Sequence, residues 1–402
     1  VNANPFNFGR PVKGKNFYNR KEEIEMAIGF LKSLQSFSIV GERKIGKTSF
    51  LLHIFLKETL EEYGIIPEQY VIIHMNIASL HELTKQLLIK TIVEKMAEET
   101  QIEMRSRNIL DDIDVFDRFK AYVEKLASNN RYLIIAFDEF EVITPILDDH
   151  FSHWLRYIFQ RSNIAAITAS HKTVQELKES GGSVSPLFNI FGNLFLGLFR
   201  REETENMIKE MFKRGKMRIQ EREVCSLADL SGGNPYLIQL LGFYYYKERT
   251  NGEIDNEFRK RISYQVRDQF EAYWKHLNDE EREFLYKSET SENDRVAYIL
   301  ERKGFLVKEE GGWKIFSPLF KEFVLEKAEV AKVSRMKRFA NFFKPLLKRI
   351  AIFAIFFSIL LVCYLQGRLT LIESFIGSFL ASSVVFLFPF LFPRLRKYTS
   401  GR

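Results

Sequence analysis

Gly41-Glu42-Arg43-Lys44-Ile45-Gly46-Lys47-Thr48-Ser49 is the stretch on which the reading of this chain turns. It has the form G-x-x-x-x-G-K-[ST], a loop that cradles phosphate. An apolar run, Phe37-Ser38-Ile39-Val40, precedes it, and Phe50-Leu51-Leu52-His53-Ile54-Phe55-Leu56 continues it with helical spacing. Strand, glycine loop and helix in that order are the context the motif requires. The glycines let the backbone take unusual dihedrals, so that several N–H groups converge on one anion. The helix N-terminus adds a partial positive charge. In such a loop Lys47 reaches the β- and γ-phosphates, and the Thr48 hydroxyl takes a place on Mg²⁺. The bare pattern arises by chance in roughly one or two per cent of chains this long, and the flanking strand and helix lower that figure. The stretch predicts an α/β domain that binds a nucleoside triphosphate with Mg²⁺.

Downstream, Arg131-Tyr132-Leu133-Ile134-Ile135-Ala136-Phe137 is an apolar run ending in Asp138 and Glu139. An unbroken run suits a central parallel strand covered on both faces. Its C-terminal end is where open α/β sheets bind ligands. Asp138 is the expected Mg²⁺ partner, directly or through water, and Glu139 the expected general base for the attacking water. An acid pair after a strand is otherwise an ordinary solvated turn, and the phosphate loop upstream decides against that reading. A strand over 70–77 and helices over about 80–99 and 115–127 lie between the loop and the acids. A helix containing Trp154, Leu155, Tyr157 and Ile158 follows, then a strand over 163–169 that leads into Ser170-His171. Thr168 and Ser170, at the tip of the strand beside the acid-bearing one, are candidate γ-phosphate sensors. For Ser170, capping of the next helix competes with that role. His171 reads as a surface residue at a helix start.

The 402 residues allow two or three domains, each with a proper core. Two cysteines, Cys225 and Cys363, make no disulfide framework and no metal spacing, which suits a reducing compartment. The net charge of +7 is unevenly placed: residues 331–402 hold 12 Lys/Arg and one acid, Glu373, leaving the rest of the chain at −4. Basicity in the tail alone points to membrane flanks rather than to a nucleic-acid surface.

Before the loop, Pro5, Gly9, Pro11 and Gly14 keep residues 1–19 extended, while Phe6, Phe8, Phe17 and Tyr18 are too many aromatics for a free tail and are expected to pack. A helix over about 20–34 follows. After the sheet, a loop over 181–193 and a short fifth strand over 194–198 give way to helices over 202–213 and 221–230. The break Ser231-Gly232-Gly233-Asn234-Pro235 then leads into a further helix, with Pro235 at its start, where a missing N–H is tolerated. From about 269 to 324, short amphipathic helices precede Gly304-Phe305-Leu306-Val307-Lys308, a turn at Glu310-Gly311-Gly312, and Trp313-Lys314-Ile315-Phe316, which together read as a winged helix-turn-helix.

Asn4-Pro5-Phe6, Phe17-Tyr18-Asn19-Arg20, GERKIGKTS, IIAFDEFE and SGGNPYLIQLL together resemble the archaeal-type ATPases, in the STAND-like branch of the AAA+ fold, over about residues 2–325. The resemblance implies a P-loop parallel sheet of the ASCE/AAA+ kind (1–200), a helical lid (201–264) and the winged helix-turn-helix (265–330). It further implies that the segment of Phe17 and Arg20 packs on adenine, although Asn19 stands where the family has Gly. Gly233-Asn234-Pro235 is similar to the family's G-x-P element, whose proline reports the base to the lid. Arg156 and Arg161 lie where related ATPases carry an arginine finger. ATP rather than GTP, slow hydrolysis and a conformational switch are the expected activity.

The remaining segment, 331–402, holds two uncharged runs, 350–365 and 374–393, separated by Gln366-Gly367-Arg368. Each approaches the length that crosses a bilayer. Lys344, Lys348 and Arg349 before them and Arg394, Arg396 and Lys397 after them place both ends on the cytoplasmic side of a cell membrane. The expected partners are that membrane, an unidentified protein or small-molecule signal, and a second copy of the chain. Nucleic acid is the rival: a membrane-tethered regulator with ATP as modulator. The candidate recognition helix, 291–303, carries Arg295, Arg302 and Lys303 against Glu292, Asp294 and Glu301, which is too balanced for phosphate tracking.

Overall fold

The computed structural model describes residues 4–100, 114–181, 186–248, 256–287, 295–310 and 312–365. The chain divides into two compact units, residues 1–325 and 326–402. In chain order the elements are α1 (Lys21–Lys32), β1 (Phe37–Val40), α2 (Lys47–Ile54), α3 (Lys57–Glu62), β2 (Tyr70–Asn76), α4 (Lys85–Thr100), α5 (Asp114–Ser128), β3 (Tyr132–Asp138), α6 (Asp149–Phe159), β4 (Ile164–Ser170), α7 (Val174–Gly181) and β5 (Gly192–Phe195). Helices α8 (Arg201–Arg214), α9 (Glu221–Ser231), α10 (Pro235–Glu248), α11 (Asn256–His276), α12 (Asp279–Lys287) and α13 (Arg295–Arg302) follow, then β6 (Leu306–Glu309), β7 (Gly312–Ile315) and α14 (Pro318–Leu365).

The first five strands form one sheet in the order β2-β3-β4-β1-β5, every neighbouring pair parallel. Strand β4 therefore separates the phosphate-loop strand β1 from the acid-bearing strand β3. Alternation along each strand feeds two cores. Ile134 and Ala136 of β3 face α1 and α2, together with Phe37, Ile39, Phe50 and Leu51. Leu133, Ile135 and Phe137 face the other way, into a core shared with Ile92 of α4, Val123 of α5 and Leu155 of α6. Such two-sided cover is what an unbroken apolar strand requires.

The fifth strand begins two residues earlier than its sequence suggests. Its register on β1 runs from Phe37↔Gly192 to Val40↔Phe195, so the ladder stops where β1 turns into the phosphate loop. One further bond, from Leu196 N to Val40 O at 2.8 Å, closes it.

Helices α8–α13, the antiparallel β6–β7 hairpin and the first turns of α14 share a single apolar core. That core does not divide at residue 264, where a lid and a following domain are expected to part. Phe6 belongs to it, 2% exposed and edge-on to Phe212 with ring centroids 5.2 Å apart. The aromatics of the N-terminal segment thus pack as expected. The segment also ties the helical body to the phosphate-loop helix: Asn7 N donates to Gln239 Oε1 at 2.7 Å, and Val12 N to Ser49 Oγ at 3.1 Å.

In the second unit, the described residues belong to α14. Its end, 350–365, is helical and exposes Ile352, Ile355, Phe357, Leu361 and Leu365. Among the described residues no helix is long and apolar enough to cross a membrane. The second run, 374–393, lies outside them.

Candidate functional site

The C-terminal ends of β1 and β3 meet at one place. Residues 41–46 turn through the loop, and Gly46 takes φ 104°, a backbone that side chains rarely tolerate, just before α2 starts at Lys47. The Lys47 ammonium is buried and donates to the carbonyls of Gly41 at 2.8 Å and Glu42 at 3.2 Å. Burial lowers its pKa, opposed by the charges of Glu141, Glu42, Glu139 and Asp138. A cation held among its own loop carbonyls is poised to exchange them for phosphate oxygens.

Across 90 residues of sequence, the Thr48 hydroxyl donates to Asp138 Oδ2 at 2.6 Å. Hydroxyl and carboxylate therefore share the position from which both would serve one Mg²⁺. The donor set is all oxygen, which fits a hard cation that brings its own waters and phosphates. Glu139 leaves the strand with φ 54° and ψ 45°, a left-handed backbone costing a non-glycine residue about 1–2 kcal/mol. That turn carries Glu139 into the wall of the cavity beside the loop. Burial, then the neighbouring Glu141, raises its carboxyl pKa.

The cavity measures about 710 Å³ and runs from the loop to the N-terminal segment and the helical body. Phe17, Arg20 and Pro235, the residues that the resemblance assigns to the base, all line it. Phe17 stacks on His53 at 4.2 Å between centroids. Arg20 is 6% exposed, pairs with Glu23 at 2.8 Å and lies 4.6 Å over the Phe199 ring, so its guanidinium braces the wall. Gly233 is required at its place: φ is 77°, and an added Cβ would meet Phe199 O at 2.2 Å.

The other candidates lie away from the cavity. Thr168 is fully buried, with its hydroxyl on Ser38 Oγ at 2.8 Å inside the sheet. Ser170 donates its hydroxyl to the carbonyl of Lys172, and its own carbonyl accepts from Gly41 N at 3.2 Å; the cap of α7 is Thr173 instead, whose hydroxyl accepts from Glu176 N at 3.1 Å. Arg156 is on α6, and Arg161 pairs with Glu124 at 3.2 Å just before β4 begins. Because β3 and β4 are parallel, that is the edge of the sheet opposite Asp138, and neither arginine reaches the cavity of its own chain.

Several residues at the site escape the sequence reading. His171, read as a surface residue, bonds through Nδ1 to Glu141 Oε1 at 2.6 Å and stacks on His276 at 4.5 Å between centroids. His276, at the end of α11, meets Glu42 Oε1 at 2.9 Å through its own Nδ1. One turn earlier the Tyr273 hydroxyl donates to Arg43 O at 3.0 Å and accepts from Asn234 Nδ2 at 3.3 Å. Burial pushes the Glu42 carboxyl up, but the bonds from His276 and the Arg43 amide outweigh it, leaving the carboxyl below its ordinary value. The one available hint is the spacing 269, 273, 276 of polar side chains on an otherwise apolar helix face.

Residues 27–290 match the family described as novel STAND NTPase 2. The chain belongs to that family. No curated protein matches it by sequence. Among solved structures it is similar to a Walker-type ATPase of Pyrococcus abyssi, at 17% identity and a TM-score of 0.56, covering 79% of this chain and 99% of that one. It also matches the ORC2 protein of Aeropyrum pernix, at 14% identity and a TM-score of 0.48 over 82% of this chain and 98% of that one. The RuvB branch-migration motor of Thermotoga maritima matches at 16% identity and a TM-score of 0.41, over 79% and 98%. This STAND NTPase thus has the P-loop fold that its loop and acids predict.

Proposed function

We propose that this STAND NTPase binds and slowly hydrolyses ATP with Mg²⁺ and works as a conformational switch. The observation that carries the reading is that Lys47, Thr48 and Glu139 line one cavity, with Asp138 held to the Thr48 hydroxyl behind them, beside a helix that touches the loop directly. The loop amides and Lys47 bind the polyphosphate, Thr48 and Asp138 hold the metal, and Glu139 orients and deprotonates water. Mg²⁺ supplies charge neutralisation on the phosphates when bound. Because α11 hydrogen-bonds the loop through Tyr273 and His276, a change of loop conformation on nucleotide binding reaches the helical body by direct contact. In that body, helices α11–α13 with the β6–β7 hairpin serve as a winged helix-turn-helix.

The same reading includes a membrane anchor in the tail. Sixteen uncharged residues rise about 24 Å as a helix, short of the roughly 30 Å hydrocarbon core, so a span needs residues beyond 365. The exposed Ile352, Phe357 and Leu365 and the preceding Lys344, Lys348 and Arg349 favour a bilayer with the ATPase on its cytoplasmic side. Arg156 and Arg161, remote from their own cavity, are available to that of a second copy. A protein or small-molecule signal fits the hairpin region better than nucleic acid does. Of three cations on or next to α13, Arg302 lies 3.7 Å over the Phe195 ring and Lys303 pairs with Glu281 at 2.6 Å.

ATP turnover by the full chain in lipid vesicles, with and without duplex DNA at two salt concentrations, tests this. Slow Mg²⁺-dependent turnover indifferent to DNA is expected. Stimulation by DNA that fades with salt would replace the switch by the nucleic-acid regulator.

A further inference from the structure

Helix α14 changes character along its length. Residues 318–330 carry acids as well as bases, with Glu322, Glu326 and Glu329, but after Glu329 the next acid is Glu373. Between those two acids, residues 332–349 hold seven lysines and arginines on unbroken helix. Helical spacing sorts the stretch into faces. Val333, Met336, Phe343, Leu347 and Ile350 follow one another at intervals of 3, 7, 4 and 3, which makes one apolar stripe. Lys337, Lys344 and Lys348, at intervals of 7 and 4, run beside that stripe, and Arg338 and Arg349 fall on the face away from it. Val333, Met336, Leu347 and Ile350 are exposed, as are Lys332, Lys344 and Lys348.

The charges decide what covers such a stripe. Two copies of the helix packed stripe to stripe would set lysines against lysines, with no acid in the segment to pair them. A nucleic acid would neutralise the cations and leave the stripe in water. Residues 333–350 hold six lysines and arginines, too many for this segment to cross hydrocarbon. An anionic lipid surface satisfies both faces at once: the apolar side chains enter the acyl boundary while the cations reach headgroup phosphates. Pro345 lies inside the helix. It removes one backbone hydrogen bond and marks the place where a helix lying in the interface can bend toward the uncharged run 350–365. We propose that residues 332–349 form an in-plane amphipathic helix whose partner is the anionic headgroup layer of a phospholipid bilayer. The inference deepens the membrane reading of the tail and rests on it, adding recognition of lipid charge to the apolar anchor.

A single label on the stripe tests the proposal. The full chain with Met336→Cys, and with Cys225→Ser and Cys363→Ser so that one thiol remains, carries a fluorophore at position 336. Flotation and quenching by acrylamide, which is uncharged, are read on vesicles of phosphatidylcholine alone and of phosphatidylcholine with phosphatidylglycerol. The label is expected to lose its quenching on the mixed vesicles and keep it on the neutral ones. Adding Lys337→Glu, Lys344→Glu and Lys348→Glu together is expected to restore quenching on the mixed vesicles. Quenching retained on the mixed vesicles by the chain with its lysines overturns the proposal. So does quenching lost equally on both kinds, and a disulfide between two unlabelled Met336→Cys chains then identifies a second copy as the cover. Flotation separates this inference from the reading beneath it. A chain that floats with neutral vesicles but keeps its label quenched on mixed ones retains the anchor and loses the in-plane helix. One that floats only with mixed vesicles, and loses its quenching there, retains the helix and loses the anchor. Flotation with neither overturns both.

Discussion

The floor and the wall of the nucleotide cavity are built by opposite means. The floor is local: nine consecutive residues make the loop, and a single long-range bond, Thr48 to Asp138, brings the acid strand to it. The wall is α11, more than 200 residues away in sequence, and it reaches the floor through single side chains, Tyr273 and His276. The floor holds chemistry that any phosphate-binding loop shares. The wall holds whatever makes this chain respond to that chemistry. If the division is right, substitutions in the floor abolish binding or turnover, while substitutions in the wall change how tightly and how briefly the nucleotide is held.

The largest effect belongs to Lys47. Lys47→Ala is expected to lower affinity for Mg²⁺-ATP at least about a hundredfold, because it removes the charge-assisted bonds to the phosphates and leaves the loop carbonyls unpaired. Calorimetric titration reads this directly, and near-normal affinity would take the floor out of the binding site. Glu139→Gln is expected to keep binding while lowering turnover about 10²- to 10⁴-fold, the range for a lost general base. A variant that still turns over at the native rate would leave its left-handed backbone as strain without a catalytic reason.

How far the sequence discloses this molecule follows from the same contrast. Loop, acids, parallel sheet and the C-terminal β-hairpin are all legible, because each is a local pattern: glycine spacing, an apolar run with terminal carboxylates, a Gly-Gly turn between alternating residues. Thr168 is misleading for a geometrical reason. Two residues short of the strand end, it points at Ser38 of the neighbouring strand, and sequence position alone does not reveal that register. His171 is misleading for a topological one, since it stacks on His276, 105 residues further along the chain. No periodicity announces a contact of that kind. Pro235, Phe17 and Arg20 all stand in the cavity wall, and Arg20 is in addition engaged by Glu23 and Phe199.

The wall yields smaller effects. Tyr273→Phe deletes one hydroxyl and leaves both Arg43 O and the buried Asn234 amide without a partner. Leaving buried polar groups unsatisfied costs about 1–3 kcal/mol. The variant is expected to melt lower by that amount and to release Mg²⁺-ADP faster, which stopped-flow displacement of a fluorescent nucleotide measures. A lower melting point with unchanged release would make α11 a structural support and erase the distinction between wall and floor.

The smallest effect is a dependence on pH at the contact between the two. Glu42 belongs to the floor and His276 to the wall, and their bond, with the Arg43 amide, holds the Glu42 carboxyl below its ordinary pKa in spite of burial. For a carboxyl whose folded value is depressed, the linked stability is fully present above the unfolded value and is lost as pH falls through the folded one. The difference in melting temperature between the native chain and Glu42→Gln is therefore expected to be widest near neutrality and to close on acidification below the ordinary carboxylate range. A difference that stayed constant with pH would mean that the ionised carboxylate is not what joins α11 to the loop, leaving Tyr273 as the hydrogen-bonded link between them.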